Sequence, residues 1–212
     1  MIFTTFYHII VKRGENMIVT NDVIKMNLIN YSNKNTKLTR EVKKGKYFKI
    51  INGLYETDSN TPGYLLAGSI YGPSYLSFDF ALAYYDLIPE RVVNYTSATF
   101  GKKKKKEFHT NFGNFFYRDV PSQVYPYGIN LIKEGEYYYQ IASPEKALCD
   151  KLYTLSPLQN LQDIKLLLTE DLRIDEDDLK NLNLDDIQKL SELYHCKNVT
   201  LLYKYLILIT RF

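Results

Sequence analysis

The sequence predicts an α+β protein in which a small N-terminal domain, residues 1–57, precedes a larger mixed α/β domain, residues 58–212. Three observations support this division. Helical patterns and one hairpin signal fill the first part, strand and helix patterns follow one another in the second, and the polar, turn-rich segment TDSNTPG lies between them. With 212 residues, of which 45% are hydrophobic, the chain has the composition of a globular protein.

The first domain is predicted to begin with three helices. Residues 4–13 contain a helical stripe of apolar side chains. Thr20 or Asn21 can cap the second helix, because a short polar side chain there accepts a hydrogen bond from a free backbone N–H group. Asn33 can cap the third helix, which ends at Gly45, a typical residue just after a last helical turn. The residues of the second helix expected to face the core are Val23, Met26 and Leu28.

A β-hairpin is predicted directly after the third helix, in the segment KYFKIINGLYET. Phe48 and Ile50 are expected to face inward in this segment. Tyr47 and Lys49 are expected to face outward. The pair Asn52-Gly53 is the strongest short signal of a tight hairpin turn. Helix, helix, basic helix and hairpin is the order of a winged helix-turn-helix, which is therefore the fold predicted for the first domain.

In the larger domain, the segment SYLSFDFALAYYDLIPE predicts a helix capped by Ser77 and stopped by Pro89. The lysine run, Lys102–Lys106, lies between two β-rich stretches, VVNYTSATF and EFHTNFGNFFYRDV, and is therefore predicted to form the tip of a hairpin. The strand EYYYQIA then leads into a helix capped by Ser143, with Pro144 at its first position. Further helices are predicted around LQDIKLLL and LDDIQKLSELY and in the apolar segment near the end.

Charge is distributed unevenly along the sequence. Residues 17–50 contain eight Lys or Arg residues and two acidic ones, whereas residues 163–192 contain ten acidic residues and four basic ones. Such an asymmetry is expected when one part of a protein meets an anion and another part does not.

The basic third helix is the candidate nucleic-acid reader. At 100° per residue, Leu38 and Val42 share the side that faces the core, and a short, cationic, hydrogen-bonding face lies opposite. Arg40 is the residue on that face that can make a bidentate contact with guanine. A solvated helix face remains the alternative, because Lys and Thr are usually exposed. The predicted DNA-binding residues are Lys34, Thr36, Lys37, Thr39, Arg40, Lys43, Lys44 and Lys49.

The lysine run is expected to play a smaller part. Basic runs attract phosphates without reading sequence, so this one is predicted to add at most an auxiliary phosphate contact. The residues concerned are Lys102, Lys103, Lys104, Lys105 and Lys106.

Catalytic chemistry is not predicted. Gly68-Ser69 and Asp79 imitate the opening of a nucleotidyltransferase site, but the position of the second metal-binding carboxylate is Ala81. The three histidines and two cysteines lack the spacing of a metal site, and the acidic clusters Asp175–Asp178 and Asp185-Asp186 are expected to be helix starts. We therefore expect no catalytic residue, metal or cofactor, and a protein that is not an enzyme.

A cytoplasmic location is expected. Two cysteines in a chain of this length do not predict a disulfide scaffold. The first sixteen residues lack the basic start and the small-residue cleavage site of a signal peptide, and the apolar segment LLYKYLILIT is shorter than a membrane span and contains a lysine.

The segments INGLYET, YGPSYLSFDFALAYYDLIPE and YQIASPEKALCDKLY, together with NYTSATFGKKKKKEF and GNFFYRDV, resemble the AbiEi family of type IV toxin–antitoxin, or abortive-infection, systems. The resemblance extends from about the first helix to about Leu155 and does not cover the chain from Pro157 onward. Its most specific parts are the blocks P-S-Y-L-S…A-L…L-I-P-E and S-P-E-K-A-L-x-D in that order.

The resemblance implies an N-terminal winged helix that represses the system's own operon by binding double-stranded promoter DNA. It also implies a larger domain that counteracts a nucleotidyltransferase toxin without being an enzyme or forming a stable complex with it. The family supplies no catalytic residues, and its DNA-reading positions vary with the operator. Two alternatives remain open: a protein-binding module with a degenerate winged helix and no DNA binding, and a nucleotide-handling enzyme, which Ala81 disfavours.

Overall fold

The backbone of the computed structural model forms two β-sheets, one of three strands and one of six, with helices beside and after them. The structure describes residues 17–210, so the helix predicted over residues 4–13 lies outside the described part. Within residues 17–210 the predicted α+β class is confirmed.

The three-stranded sheet belongs to the N-terminal part of the chain. Its strands are antiparallel and lie in the order β1-β3-β2, because the chain passes through two helices before the hairpin β2-β3 adds to the first strand. The elements are β1 (Ile18–Thr20), α1 (Asn21–Asn27), α2 (Lys34–Lys43), β2 (Phe48–Ile51) and β3 (Leu54–Glu56).

Both predicted caps of these helices are present. The Thr20 side chain accepts a hydrogen bond from the backbone N–H of Val23 at 3.4 Å, and the Asn33 side chain accepts one from Thr36 at 3.0 Å. Helix α2 ends before Gly45, whose φ of 70° is the left-handed conformation that glycine adopts at least cost.

The predicted core face of α1 is partly wrong. Ile24 and Leu28 are buried, whereas Val23 is half-buried and Met26 is 65% exposed. Residues four apart share one face of a helix, and here Ile24 and Leu28 are the pair that meets α2 and the sheet. The prediction was therefore right for Leu28 and wrong for Met26, and it missed Ile24.

Tyr47 was predicted to face outward and is instead buried. It precedes β2, so the alternation of the strand does not extend to it, and its ring completes a small apolar core. Burial raises the pKa of its hydroxyl. The buried members of this core are Val19, Ile24, Leu28, Leu38 and Tyr47.

The six-stranded sheet forms the centre of the rest of the chain. Its order is β6-β7-β5-β4-β9-β8, in which β4 pairs parallel with β9, β5 pairs parallel with β7, and the other neighbours are antiparallel. The strands are β4 (Tyr75–Leu76), β5 (Tyr95–Thr99), β6 (Lys106–Thr110), β7 (Gly113–Asp119), β8 (Ile129–Glu134) and β9 (Tyr137–Ala142).

The hairpin predicted around the lysine run is wrong. Strands β5 and β6 are not neighbours, because β7 lies between them and pairs with both. Residues 100–105 form the loop that crosses from β5 to the edge strand β6, and Lys106 is the first residue of β6. The tight hairpin of this region is instead β6-β7, which turns at residues 111–112.

The first three helices of the larger domain contact this sheet, and further helices form the C-terminal part of the described chain. A 3₁₀ turn at Gly63–Leu66 precedes the first of them, and Leu167–Asp171 form a π-helical turn after the fourth. The helices are α3 (Ala67–Ile70), α4 (Phe78–Tyr84), α5 (Pro144–Tyr153), α6 (Leu161–Leu166), α7 (Glu176–Asn181), α8 (Leu184–Tyr194) and α9 (Lys197–Thr210).

The starts of these helices agree with the predictions except at α4. Ser143 caps α5 as expected, and the two acidic clusters are helix starts, with Asp175 capping α7. Ser77 precedes α4 but makes no capping hydrogen bond, because its hydroxyl donates to Asp150 instead. Helix α4 ends at Tyr84, well before Pro89.

The hairpin β2-β3 also contacts the large core. Ile50 belongs to the apolar cluster of the larger domain, and Phe48, Ile51 and Leu54 are partly buried against that cluster. Removal of the N-terminal part would therefore expose apolar surface. Among residues 17–210, no helix is both long enough and apolar enough to cross a membrane.

Candidate nucleic-acid interface

Helix α2 has one buried side and one exposed, cationic side. Leu38 is buried at 6% exposure and Val42 is half-buried. The face opposite Leu38 is open to solvent and includes Arg40. The helix is held at its start by the Asn33 cap and on its inner side by the small core, so its outer face is presented on a fixed support. The exposed predicted residues on α2 and just after it are Thr36, Thr39, Arg40, Lys43 and Lys44.

Lys37 differs from the other predicted cations because it is already paired. Its Nζ lies 2.9 Å from Oε1 of Glu41, one helical turn away, and 4.6 Å from the centre of the Tyr31 ring. The hydrogen bond with Lys37 lowers the pKa of Glu41, and the same bond raises the pKa of Lys37. Lys46 approaches the other oxygen of Glu41 at 3.9 Å. Lys37 is therefore less available for a phosphate contact than the neighbouring cations.

The remaining predicted cations are not neutralised within the described residues. The ion pairs found among residues 17–210 do not include Lys34, Arg40 or Lys49. Lys43 and Lys44 are likewise absent from them. An exposed guanidinium with no carboxylate partner can make the two parallel hydrogen bonds that guanine or a phosphate accepts.

The two threonines on this face have different hydrogen-bonding states. Thr39 donates its hydroxyl proton to the backbone carbonyl of Asn35 at 3.0 Å, so its oxygen remains available as an acceptor. The backbone N–H of Thr36 donates to the Asn33 side chain, and the Thr36 side chain is exposed. Both side chains are short enough to let the helix approach a groove closely.

The loop of residues 100–105, which we call the lysine loop, is held in place by contacts with the rest of the domain. Lys102 donates from Nζ to the carbonyl of Gly72 at 3.0 Å and lies 5.2 Å from the centre of the Tyr71 ring. The backbone N–H of Lys103 donates to the Asp119 carboxylate at 2.6 Å. Of the five predicted auxiliary residues, Lys102 is therefore anchored, while Lys103–Lys106 have exposed side chains.

A variant with Lys103→Gly, Lys104→Ser and Lys105→Ser is expected to fold normally, because these side chains bury little surface and glycine suits the φ of 56° at position 103. We expect the slope of log affinity for promoter DNA against log salt to change by less than about 1, since most phosphate contacts are assigned to α2. Thermal melts measure the stability of the variant, and DNA titrations at three salt concentrations measure the slope. Loss of sequence-specific binding at moderate salt would contradict this assignment.

Two of the residues that imitate an enzyme site are engaged within the protein. Asp79 forms an ion pair with Lys151 at 2.6 Å, and Ala81 is fully buried. Cys149 is also buried, which raises the pKa of its thiol well above the ordinary value and keeps it protonated. Within residues 17–210, no group of three or more His, Cys, Asp and Glu side chains is placed to hold a metal ion.

A buried polar cluster, which we call the Asp150 cluster, was not predicted. The Asp150 carboxylate accepts hydrogen bonds from the hydroxyls of Tyr75, at 3.0 Å, and Ser77, at 2.6 Å. It also accepts one from the Tyr194 hydroxyl and pairs with Lys146 Nζ at 3.2 Å. The side chains of Lys146 and Asp150 have no exposed surface.

The Asp150 cluster is formed largely by two short blocks of the sequence. Tyr75 and Ser77 belong to P-S-Y-L-S, and Lys146 and Asp150 belong to S-P-E-K-A-L-x-D. Burial, and then the Asp150 charge, raise the pKa of Tyr75 well above its usual value, so this hydroxyl stays a proton donor at neutral pH. The cluster thus joins β4 and the start of α4 to α5 and α8 and has a structural role.

Comparison with known proteins assigns neither a family nor a function to this chain. No protein-family model matches this chain, and a search of curated proteins finds no match to it. The proposal below therefore rests on the sequence resemblance described above and on the geometry of the residues.

Proposed function

We propose that this protein is the antitoxin and transcriptional autorepressor of a type IV toxin–antitoxin, or phage-defence, operon. In this proposal the strand, two helices and hairpin of residues 18–56 are the described part of a winged helix-turn-helix, and α2 is its recognition helix. The observation that carries the proposal is the exposed, unneutralised cationic face of α2 opposite the buried Leu38.

Three further features support the proposal. The order β1-β3-β2, with both helices inserted between β1 and β2, suits a winged helix, in which the hairpin forms the wing. Arg40 is exposed and outside the ion pairs of the described chain, which leaves all of its donors available to a base or a phosphate. The sequence blocks that resemble AbiEi antitoxins are those that build the Asp150 cluster of the larger domain.

The proposed partners are double-stranded promoter DNA and a nucleotidyltransferase toxin, counteracted without a stable complex. The protein acts in the cytoplasm, uses no cofactor and is not itself an enzyme. The larger domain, residues 58–212, supplies the toxin-neutralising activity. A nucleotidyltransferase gene adjoining the gene of this protein is an expected consequence.

One observation favours a second candidate, a protein-binding module with no DNA binding. Met26, Ile29 and Tyr31, at the end of α1 and in the turn before α2, are exposed apolar or aromatic side chains. Such groups are more typical of a protein contact than of a DNA-facing surface.

A separation of the two activities tests the proposal in the full-length chain. Arg40→Ala is expected to lose repression of a reporter driven by the operon promoter, while still restoring growth to cells that express the nucleotidyltransferase of that operon. The reason is that Arg40 lies on α2, whereas neutralisation is assigned to the larger domain. Reporter activity and colony counts are the two measurements.

The control for this test is Arg91→Ala, at an exposed arginine of the larger domain that takes part in none of the ion pairs within residues 17–210. It should retain repression. If a folded Arg40→Ala variant lost both activities, α2 would contact the toxin system directly and the second candidate would be favoured.

A further inference from the structure

Two adjoining cavities lie on the larger domain, outside the cationic face of α2. The first, about 210 Å³, is lined by side chains that include Phe78, Phe116 and Lys151. The second, about 300 Å³, is lined by Lys103, Lys104 and Lys105 with their neighbours. Arg118 and Thr154 line both cavities, so the two adjoin beside β7, the lysine loop and the end of α5. We call the two cavities together the Arg118 cleft.

The charges around the Arg118 cleft are predominantly positive. Lysines from the loop, Arg118 from β7 and Lys151 from α5 provide five cationic side chains, against the two carboxylates of Asp79 and Asp119. Cations that converge from three separate segments of the chain create a local positive potential, which attracts an anion.

Both carboxylates of the cleft are already engaged by the protein. Asp79 is paired with Lys151 at 2.6 Å. Asp119 accepts a hydrogen bond from the Thr99 hydroxyl at 2.5 Å and one from the backbone N–H of Lys103 at 2.6 Å. The Asp119 contacts also fix the lysine loop at the mouth of the cleft.

The cations at the centre of the cleft are left without such partners. Arg118 and Lys103–Lys105 take part in none of the ion pairs found within residues 17–210. A guanidinium in this state can bind a phosphate through two parallel hydrogen bonds, and lysine ammonium groups beside it can neutralise further phosphate oxygens.

The first cavity has the lining that a nucleobase requires. The half-buried ring of Phe116 provides apolar surface, and bases stack on such aromatic surface irrespective of their sequence. Asn94 contributes an amide, whose oxygen accepts a hydrogen bond from Asn114 at 3.3 Å and whose N–H groups can meet a base edge. The two cavities together fall within the range of about 300–1,000 Å³ that is usual for small-molecule sites.

We propose that the Arg118 cleft binds a nucleoside phosphate, with the base against Phe116 and the phosphates between Arg118 and Lys103–Lys105. This site is distinct from the DNA-binding face of α2 and does not rest on the proposed function. A recessed cleft suits a small ligand, whereas α2 presents an exposed face to a duplex.

Isothermal titration calorimetry of the full-length chain with ATP, GTP and inorganic pyrophosphate tests the proposal. We expect saturable binding of at least one nucleotide, about tenfold tighter than that of pyrophosphate, because only the nucleotide stacks on Phe116. Arg118→Ala should weaken nucleotide binding about 10- to 100-fold, as expected for the loss of charge-assisted hydrogen bonds. Phe116→Leu should weaken nucleotide binding and leave pyrophosphate binding unchanged.

The matched control is Lys165→Ala, at an exposed lysine that lines neither cavity and should leave binding unchanged. Far-UV spectra and melts establish that each variant is folded. Absence of binding at millimolar nucleotide, or undiminished binding by Arg118→Ala, would overturn the proposal. Equal affinity for pyrophosphate and nucleotide would overturn the assignment of the base.

Discussion

Replacement of Asp150 by alanine is expected to destabilise the protein by about 3–5 kcal/mol, because removal of one partner of a buried ion pair leaves the other charge unpaired. The variant would leave the fully buried Lys146 ammonium without its carboxylate. It would also deprive the hydroxyls of Tyr75, Ser77 and Tyr194 of their acceptor. Burial lowers the pKa of Lys146, because the charged form of an ammonium is disfavoured away from water. Urea unfolding followed by circular dichroism measures the loss.

Two companion variants make this prediction specific. Lys146→Met should cost less than Asp150→Ala, because the carboxylate would keep its three hydroxyl donors. Asp178→Ala, at an exposed acid in the first turn of α7, should cost about 1 kcal/mol or less. If Asp150→Ala were no more destabilising than Asp178→Ala, the Asp150 cluster would not hold the larger domain together.

Replacement of Arg40 by alanine is expected to weaken binding to the operon promoter by about 1–3 kcal/mol and to relax the sequence preference of the protein. The reason is that a bidentate contact with guanine would be lost. Its side chain is exposed and lies outside the ion pairs of the described chain, so the substitution removes no internal contact of that kind. A gel-shift titration with the native promoter measures the change.

Arg40→Lys separates charge from geometry. It keeps the positive charge but loses the planar fork, so it should retain binding to unrelated DNA while losing preference for the promoter. Arg91→Ala serves again as the control for loss of an exposed arginine. Unchanged promoter affinity of Arg40→Ala would remove α2 from the reading of DNA.

Local sequence signals predicted the N-terminal part of the described chain well. The caps at Thr20 and Asn33, the stop at Gly45 and the turn at Asn52-Gly53 each depend on a few adjacent residues, and all were confirmed. The exposed face of α2 followed from helical periodicity alone. The burial of Tyr47 did not follow, because it depends on packing between elements.

Features that depend on distant residues were not predictable in this way. The parallel pairing of β5 with β7 places the lysines in a crossing loop, and no local pattern distinguishes this loop from a hairpin tip. The spacing of Lys146 and Asp150 is a signal for an ion pair on one helix face, but not for its burial beneath Tyr75 and Tyr194. The Arg118 cleft is likewise assembled from segments that are distant along the chain.

The central claim is that α2 makes this protein a sequence-specific DNA-binding repressor. Fluorescence anisotropy of the full-length chain with its own promoter and with a scrambled duplex of equal length, at a fixed salt concentration, tests this most directly. We predict that the promoter is bound at least about 10³-fold more tightly than the scrambled duplex. Equal affinity for the two duplexes, or binding to neither, would contradict the claim.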